Sequence, residues 1–212
     1  MEFKGLDIKV DEGNDLKLDP ECNFNLSRIY IQGTNNSIII HKALVYQNLF
    51  INFKGNNKKL VIKPSKKNIS NLKVVSIRGE NQNITIGEDF SCGGCEIQMN
   101  DGDESLSIGN DCLFSWGIKI RTSDGHSVVD LETGKAINIP QDVNIGNHVW
   151  VGEDVKFLKG SSIPNNCVVG SYAIVTKKFT DQHTVIAGFP AKVVKIGVDW
   201  NRKMPYDFNK TL

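Results

Sequence analysis

The sequence predicts an all-β protein that folds as a parallel β-helix of about seven coils. A large apolar residue recurs at every sixth position from residue 145, as Ile145, Val151, Phe157, Ile163, Val169 and Val175. Four positions after each of the first five stands a smaller residue: Val149, Val155, Ser161, Cys167 and Ala173. A period of six fits neither a helix nor a single strand, whereas a chain that turns a corner every six residues produces it. Three short strands then make a coil of about 18 residues with one large inward side chain per side.

A longer repeat precedes the hexapeptide stretch and predicts that the β-helix also includes the N-terminal half. Each copy is a polar Gly/Asn corner followed by an alternating apolar strand, and the copies begin at Gly13, Gly33, Gly55, Gly79 and Gly102. Their inward residues, spaced by 22, 22, 24 and 22 positions, are Leu18, Ile40, Ile62, Ile86 and Ile108. The register resumes at Ile145, so we interpret each long spacing as one coil that carries a loop of about four to six residues. Residues 1–196 are therefore predicted to form one domain.

The hexapeptide pattern stops between residues 121 and 142. This insertion is long for a corner of a β-helix, and loops of such length are usually functional or disordered. It contains His126, one of four histidines in the chain. We interpret the insertion as a loop that carries part of a functional site.

The segment after Lys178 is predicted to cap the open end of the β-helix. Residues 184–195 indicate a last strand, a turn and a short element that covers the final coil. Residues 197–212 are polar and aromatic and form a C-terminal extension. The sequence leaves open whether this extension is a short helix or an arm against a neighbouring subunit.

Composition excludes several classes of protein. The net charge is +1, so the overall charge gives no bias towards binding nucleic acid or an anionic membrane. No apolar run approaches the roughly 20 residues of a membrane-spanning helix, and the N-terminus lacks the apolar region of a signal peptide. Five cysteines, without the spacing of a disulfide framework, favour a reducing compartment. The sequence therefore predicts a soluble cytoplasmic protein.

The cysteines are predicted to be structural. Cys22, Cys112 and Cys167 each follow an inward position by four residues, as small buried hydrophobes would. Cys92 and Cys95 form a Cys-Gly-Gly-Cys motif that is compatible with redox or zinc chemistry. Because no second cysteine pair or suitably spaced histidine accompanies it, we interpret these two residues as packed or corner thiols, and no metal site is predicted.

Five segments of the C-terminal half resemble a known enzyme family. They are residues 145–152 (IGNHVWVG), 158–164 (LKGSSIP), 169–171 (VGS), 174–178 (IVTKK) and 187–192 (AGFPAK). In these segments the chain resembles the hexapeptide-repeat acetyltransferases, and among them the capsular polysaccharide O-acetyltransferases, including the polysialic acid type. The resemblance implies a left-handed β-helix, although parallel crossovers are normally right-handed. It also implies a homotrimer that binds acetyl-CoA in clefts between adjacent prisms.

The resemblance implies that His126 is the general base, because the family places its catalytic histidine on the loop that interrupts the coils. The imidazole would take the proton from an acceptor hydroxyl as its oxygen attacks the thioester. Many family members have Pro after this histidine, where the present chain has Ser127. Asp124 or Asp130 can orient the ring. His148 is the second candidate base, although a histidine at that corner position is more often structural.

Trp150 matches a tryptophan that the family places near the thioester. Either its backbone N–H or its indole can hold the developing oxyanion, and an outward tryptophan can also pack between subunits. The residues that the resemblance assigns to acetyl-CoA binding are Ser171, Tyr172, Thr176, Lys177, Lys178, Pro190, Ala191 and Lys192. Lys177 and Lys178 suit the phosphate groups of the cofactor as point charges.

The predicted function is acetyl-CoA-dependent transfer of acetyl to a carbohydrate hydroxyl, in a capsular or other surface polysaccharide. An alternative acceptor is a small molecule, either a nucleotide sugar or an antibiotic, acetylated on nitrogen or oxygen. A zinc lyase would need three converging histidines, and the four in this chain are far apart in sequence: His41, His126, His148 and His183. A non-catalytic β-solenoid would give no reason for the 121–142 loop.

Overall fold

The structure, a computed structural model, describes residues 3–210 and is a three-sided parallel β-solenoid. Every third strand joins the same sheet, so the sheets form three faces. Face 1 contains β1 (Leu6–Val10), β4 (Ser27–Gln32), β7 (Phe50–Lys54), β10 (Leu72–Ser76), β13 (Cys95–Gln98), β16 (Ile118–Arg121), β19 (Lys156–Phe157) and β22 (Ile174–Val175). Face 2 contains β2 (Asp15–Leu18), β5 (Ser37–Ile40), β8 (Lys59–Ile62), β11 (Asn83–Ile86), β14 (Ser105–Ile108), β17 (Val143–Ile145) and β20 (Ser162–Ile163). Face 3 contains β3 (Phe24–Asn25), β6 (Val45–Gln47), β9 (Asn68–Ser70), β12 (Ser91–Cys92), β15 (Leu113–Phe114), β18 (Trp150–Val151), β21 (Val168–Val169), β23 (Thr184–Gly188) and β24 (Ala191–Ile196).

The register predicted from the repeat is confirmed from Leu18 to Ile163. On face 2 the partners in consecutive parallel pairings are Leu18, Ile40, Ile62, Ile86, Ile108, Ile145 and Ile163. The six large hexapeptide positions are all buried, and so are the five smaller residues that follow them. Seven complete three-strand coils result, and an eighth turn runs from β22 to β23.

The spacing suggested that the extra residues of the N-terminal coils form separate loops. This prediction is wrong. The extra residues lengthen the strands, so that a second side chain points inward on face 1, as in Phe53, and on face 2, as in Leu60. Alternation along a longer strand produces this second inward position. The lengthened sides meet at a corner made of residues 33–36, 55–58, 77–82 and 99–104, which we name the wide corner.

Stacked polar residues hold the wide corner together. Asn35, Asn57, Asn81 and Asp103 all adopt positive φ, as the predicted Gly/Asn corners require. The Asn35 amide donates to Asn57 at 2.6 Å, and the Asn81 amide donates to Asp103 at 2.8 Å. Each coil therefore fixes the corner of the next.

Four of the five thiols are buried, as predicted, while Cys22 is only partly buried. Burial raises the pKa of Cys92 and of Cys112 to about 12, and that of Cys22 to about 11. Thiols with such values are protonated at neutral pH and are poor nucleophiles. Within residues 3–210 no three His, Cys, Asp or Glu side chains are grouped so as to hold a metal ion.

The C-terminal end contains the predicted cap. β24 pairs antiparallel with β23, which continues face 3 beyond β21. The extension then includes a short helix, α1 (Pro205–Asn209), one of the two alternatives that the sequence left open. Residues 211–212 of the extension and residues 1–2 of the predicted domain lie outside the described residues. No helix within residues 3–210 has both the length and the apolar character to span a membrane.

Candidate functional site

The insertion predicted between residues 121 and 142 leaves β16 on face 1 and returns to β17 on face 2. Lys159, at the same corner of the following coil, anchors it through an ion pair with Asp124 at 2.6 Å and a hydrogen bond to the Asn138 carbonyl at 2.7 Å. The Asn138 amide in turn donates to the His126 carbonyl at 2.8 Å. Hydrogen bonds from Lys159 and Asn138 lower the pKa of Asp124. The loop is therefore fixed at the backbone of His126.

The His126 side chain is exposed, and within residues 3–210 no side chain is hydrogen-bonded to its imidazole. Neither predicted orienting carboxylate is hydrogen-bonded to the ring. Asp124 binds Lys159 and Asn138, and Asp130 accepts hydrogen bonds from Thr133 at 2.7 Å. Both ring nitrogens are thus open to a group from outside the chain.

Trp150 lies on face 3, and 41% of its surface is exposed. Its backbone N–H donates to the Cys167 carbonyl at 3.0 Å, as part of the ladder between coils. The sequence left two Trp150 donors open for an oxyanion, and the hydrogen bond between coils already uses the backbone N–H. Only the indole N–H is free to meet a ligand.

His148 is engaged on both sides of its ring. Nδ1 lies 2.7 Å from Asp111 Oδ2, while Nε2 lies 3.2 Å from the Trp200 carbonyl and 3.3 Å from Asp199 Oδ1. The imidazole also stacks on Trp200, with ring centroids 4.4 Å apart. Because both nitrogens face acceptor oxygens, neither offers a free lone pair to a substrate hydroxyl. This geometry agrees with the structural role that the sequence favoured for His148.

The contacts of Trp200, Arg202 and Asp111 were not found by sequence reasoning. Arg202 donates to Asp111 Oδ1 at 2.9 Å and to Ser91 Oγ at 2.8 Å, and the Trp200 indole donates to the His148 carbonyl at 2.8 Å. Burial raises the pKa of Asp111, but hydrogen bonds from His148 and Arg202 outweigh this effect and lower it. The only signal in the sequence was an Arg and a Trp in an otherwise unassigned extension.

The predicted cofactor residues fall into three places. Ser171 and Tyr172 lie at the corner between faces 3 and 1, where Ser171 Oγ accepts a hydrogen bond from the Glu153 N–H at 3.1 Å. Tyr172 is exposed and lines a groove of about 320 Å³. Residues 176–178 lie at the corner between faces 1 and 2, as the His126 loop does. Residues 190–192 form the turn and start of the terminal hairpin.

Apart from residues 190–192 of the terminal hairpin, the predicted site residues of one chain therefore fall into two separate sets. Trp150, Ser171 and Tyr172 belong to face 3 and its corner with face 1. His126 and residues 176–178 belong to the corner between faces 1 and 2. No hydrogen bond or ring contact joins the two sets within residues 3–210.

Comparison with known proteins gives consistent similarities, although no family model matches the chain. A polysialic acid O-acetyltransferase of Neisseria meningitidis is 37% identical over 191 residues, which cover 90% of this chain and 87% of that protein. A polysialic acid O-acetyltransferase of Escherichia coli O1:K1 is 35% identical over 98 residues, 46% of this chain and 32% of the relative. The crystal structure of the polysialic acid O-acetyltransferase OatWY superposes with a TM-score of 0.75 and 31% identity, covering 95% of both chains. The polySia-specific acetyltransferase NeuO gives a TM-score of 0.82 and 26% identity, covering 95% of this chain and 91% of NeuO.

Proposed function

Because the chain belongs to the family of polysialic acid O-acetyltransferases, we propose that it transfers acetyl from acetyl-CoA to a hydroxyl of a sialic-acid-containing capsular or surface polysaccharide. The chain is an O-acetyltransferase with the left-handed β-helix fold. The observation that carries the choice of acceptor is 37% identity over 90% of the chain to an enzyme named for polysialic acid. The acceptors of the alternative readings, a nucleotide sugar or an antibiotic, have no comparable support.

The active assembly in this proposal is a homotrimer with a cleft between neighbouring prisms. The division of the site supports it, since His126 and Trp150 lie on different sides of one chain. Packing the corner between faces 1 and 2 of one subunit against face 3 of the next would bring the two sets together. A flat-sided groove between prisms also suits the extended pantetheine arm of acetyl-CoA. We place the enzyme in the cytoplasm because its five cysteines are all unpaired.

The chemistry is direct transfer with His126 as general base. Its imidazole accepts the proton of the acceptor hydroxyl while the hydroxyl oxygen forms a bond to the thioester carbonyl carbon. The Trp150 indole N–H donates to the resulting oxyanion. Collapse of the tetrahedral intermediate breaks the carbon–sulfur bond, and the imidazolium returns its proton to the departing thiolate. The products are the acetyl ester and coenzyme A, with no net proton change at the protein.

An acceptor panel tests this function. Thiol release from acetyl-CoA is measured with a sialic acid polymer, a neutral polysaccharide, a nucleotide sugar and chloramphenicol, and NMR identifies the acetylated position. We expect turnover with the sialic acid polymer and a new O-acetyl signal on its hydroxyls. Faster turnover of the nucleotide sugar or the antibiotic than of the polymer would contradict the proposal.

A further inference from the structure

The C-terminal extension is fastened along face 3 and closes a groove over Trp150. We name residues 197–209 the strap. Arg202 ties it to Asp111 and Ser91, which belong to earlier coils, at 2.9 and 2.8 Å. Trp200 is buried, and its indole donates to a backbone carbonyl of the solenoid. Because these contacts span several coils, the strap is part of the folded body.

The groove between the strap and face 3 has a volume of about 690 Å³. Its floor is a column of ladder partners, in which Trp150 pairs with Val168 and Val168 pairs with Val185. Its far wall includes Pro205 of α1. The rings of Trp150 and Trp200 have centroids 6.3 Å apart and are tilted by 45°. Because the His148 ring covers a face of the buried Trp200, the exposed ring of Trp150 is the one that can pack against the apolar face of a sugar ring.

The groove also has unpaired positive charge. Lys195, from β24, and Lys203, from the strap, both line it. Neither forms an ion pair with any carboxylate of residues 3–210. The one acidic residue in the lining, Asp199, has its carboxylate beside the His148 ring at 3.3 Å. Ammonium groups without partners favour an anionic ligand, and a carboxylate has the complementary charge.

We propose that this groove binds the acceptor as an anionic sugar, with its ring on Trp150 and its carboxylate on Lys195 and Lys203. The assignment rests on the proposed function, because it places the acceptor beside the indole that serves the oxyanion. The strap is then the acceptor-side wall of the site. Asp111, His148 and Arg202 are positioning residues that hold this wall in place.

Tryptophan fluorescence tests the proposal without requiring turnover. The chain has three tryptophans, so Trp116→Phe, at an exposed corner outside the groove, leaves only the two groove tryptophans as reporters. Titration with a sialic acid oligomer should give a saturable change in emission, and a neutral oligosaccharide of equal length should give none. Lys195→Gln and Lys203→Gln should each weaken binding roughly tenfold, as expected for loss of one charge-assisted hydrogen bond. Lys59→Gln, an exposed lysine on face 2, is the matched control and should bind like the parent.

Three results would overturn the proposal. Unchanged oligomer affinity in both lysine variants would show that the groove does not hold the carboxylate. A loss of acetyl-CoA affinity in place of oligomer affinity would assign the lysines to the cofactor phosphates. Altered light scattering in these variants would show that the two lysines hold the subunit interface and do not bind the acceptor. If binding depends on the lysines but no acetyl is transferred, the proposed function is refuted and the groove assignment stands. If acetyl is transferred but binding does not depend on the lysines, the groove assignment is refuted and the proposed function stands.

Discussion

At the corner between faces 1 and 2, the N-terminal coils are wider than the hexapeptide coils. Six positions separate the inward residues Phe157 and Ile163, whereas eleven separate Ile51 and Ile62 on the same two ladders. The interior of the hexapeptide coils is filled almost wholly by apolar side chains. The wide corner is filled by polar ones, with a buried residue from each of four coils: Asn36, Lys58, Gln82 and Glu104.

Hydrogen bonds make this polar interior possible. The Lys58 ammonium donates to the Ser76 carbonyl, the Ser76 hydroxyl and the Arg78 carbonyl at 2.9 to 3.0 Å. The Gln82 amide oxygen accepts from the same Ser76 hydroxyl at 2.9 Å. Buried polar groups are tolerated when they satisfy one another in this way. A wider coil thus needs a specific network, whereas a narrow coil needs only apolar side chains of the right size.

The same corner carries the His126 loop. The insertion follows the wide-corner segments in the stack, and Asp142 near its end accepts a hydrogen bond from the Ser105 N–H of the coil before it at 2.7 Å. The loop's other anchor, Lys159, belongs to a narrow hexapeptide coil. The candidate base therefore lies where the two kinds of coil meet, while Trp150 lies on a regular hexapeptide strand.

The largest expected effect is the loss of folding in Phe157→Asp. Phe157 is fully buried in the apolar part of the solenoid, where its ring stacks on that of Phe114, so a carboxylate there would lie among apolar side chains. An unpaired buried charge costs several kcal/mol at least, in contrast to the well-bonded charge of Lys58. Circular dichroism and solubility should show an unfolded or aggregated protein. Lys156→Asp, one position away and exposed, should remain folded; a soluble, cooperative Phe157→Asp protein would disprove the register.

The next effect is on catalysis at the loop. His126→Ala should lower kcat by roughly 10²–10⁴, the usual loss for a general base, with acetyl-CoA affinity and oligomeric state unchanged. His148→Ala should instead raise KM for the acceptor, because it loosens the strap. Steady-state kinetics on both variants make the comparison. If His148→Ala is inactive and His126→Ala keeps more than about a tenth of kcat, the base is His148.

Trp150→Phe should lower kcat by roughly 10²–10³, the usual loss for an oxyanion donor. The phenylalanine keeps an aromatic ring and the backbone N–H that the ladder already uses, and removes only the indole donor. Full activity in this variant would show that the indole is not the donor.

Mixing the two inactive variants tests whether subunits share the site. In trimers reassembled from equal amounts of His126→Ala and Trp150→Phe chains, about a quarter of the clefts should contain both native residues if they come from different subunits. Activity should then return to that fraction of the wild-type rate. A mixture that stays inactive would place both residues in one chain's site.

The regular part of the molecule was predictable because one period governs it. The spacing from Leu18 to Ile163 gave every pairing on face 2, since stacked coils repeat one environment. The clamp between Arg202 and Asp111 was not predictable, because it joins residues 91 positions apart and has no repeat behind it. The backbone N–H of Trp150 looked available because a sequence does not show which donors a ladder uses.

The smallest expected effect is a pH dependence of stability caused by Lys58, the buried ammonium inside the wide corner. Burial lowers the pKa of Lys58 to about 8, against about 10.4 in an unfolded chain. Between these two pH values Lys58 is protonated in the unfolded chain but largely neutral in the folded protein, so the free energy of unfolding should rise with pH across this window. Below about pH 8 the folded protein carries the full cost of the buried ammonium. Lys58→Met has no ammonium at this position and lacks this pH dependence. The free energy of unfolding of wild type should therefore rise by on the order of 1–3 kcal/mol relative to that of Lys58→Met between pH 8 and 10.5. Urea unfolding at each pH measures the gain, and Lys59→Met, an exposed neighbour, should follow the wild-type curve. Parallel pH curves for wild type and Lys58→Met would mean that the buried ammonium keeps an ordinary pKa, and that its three acceptors fully offset its burial.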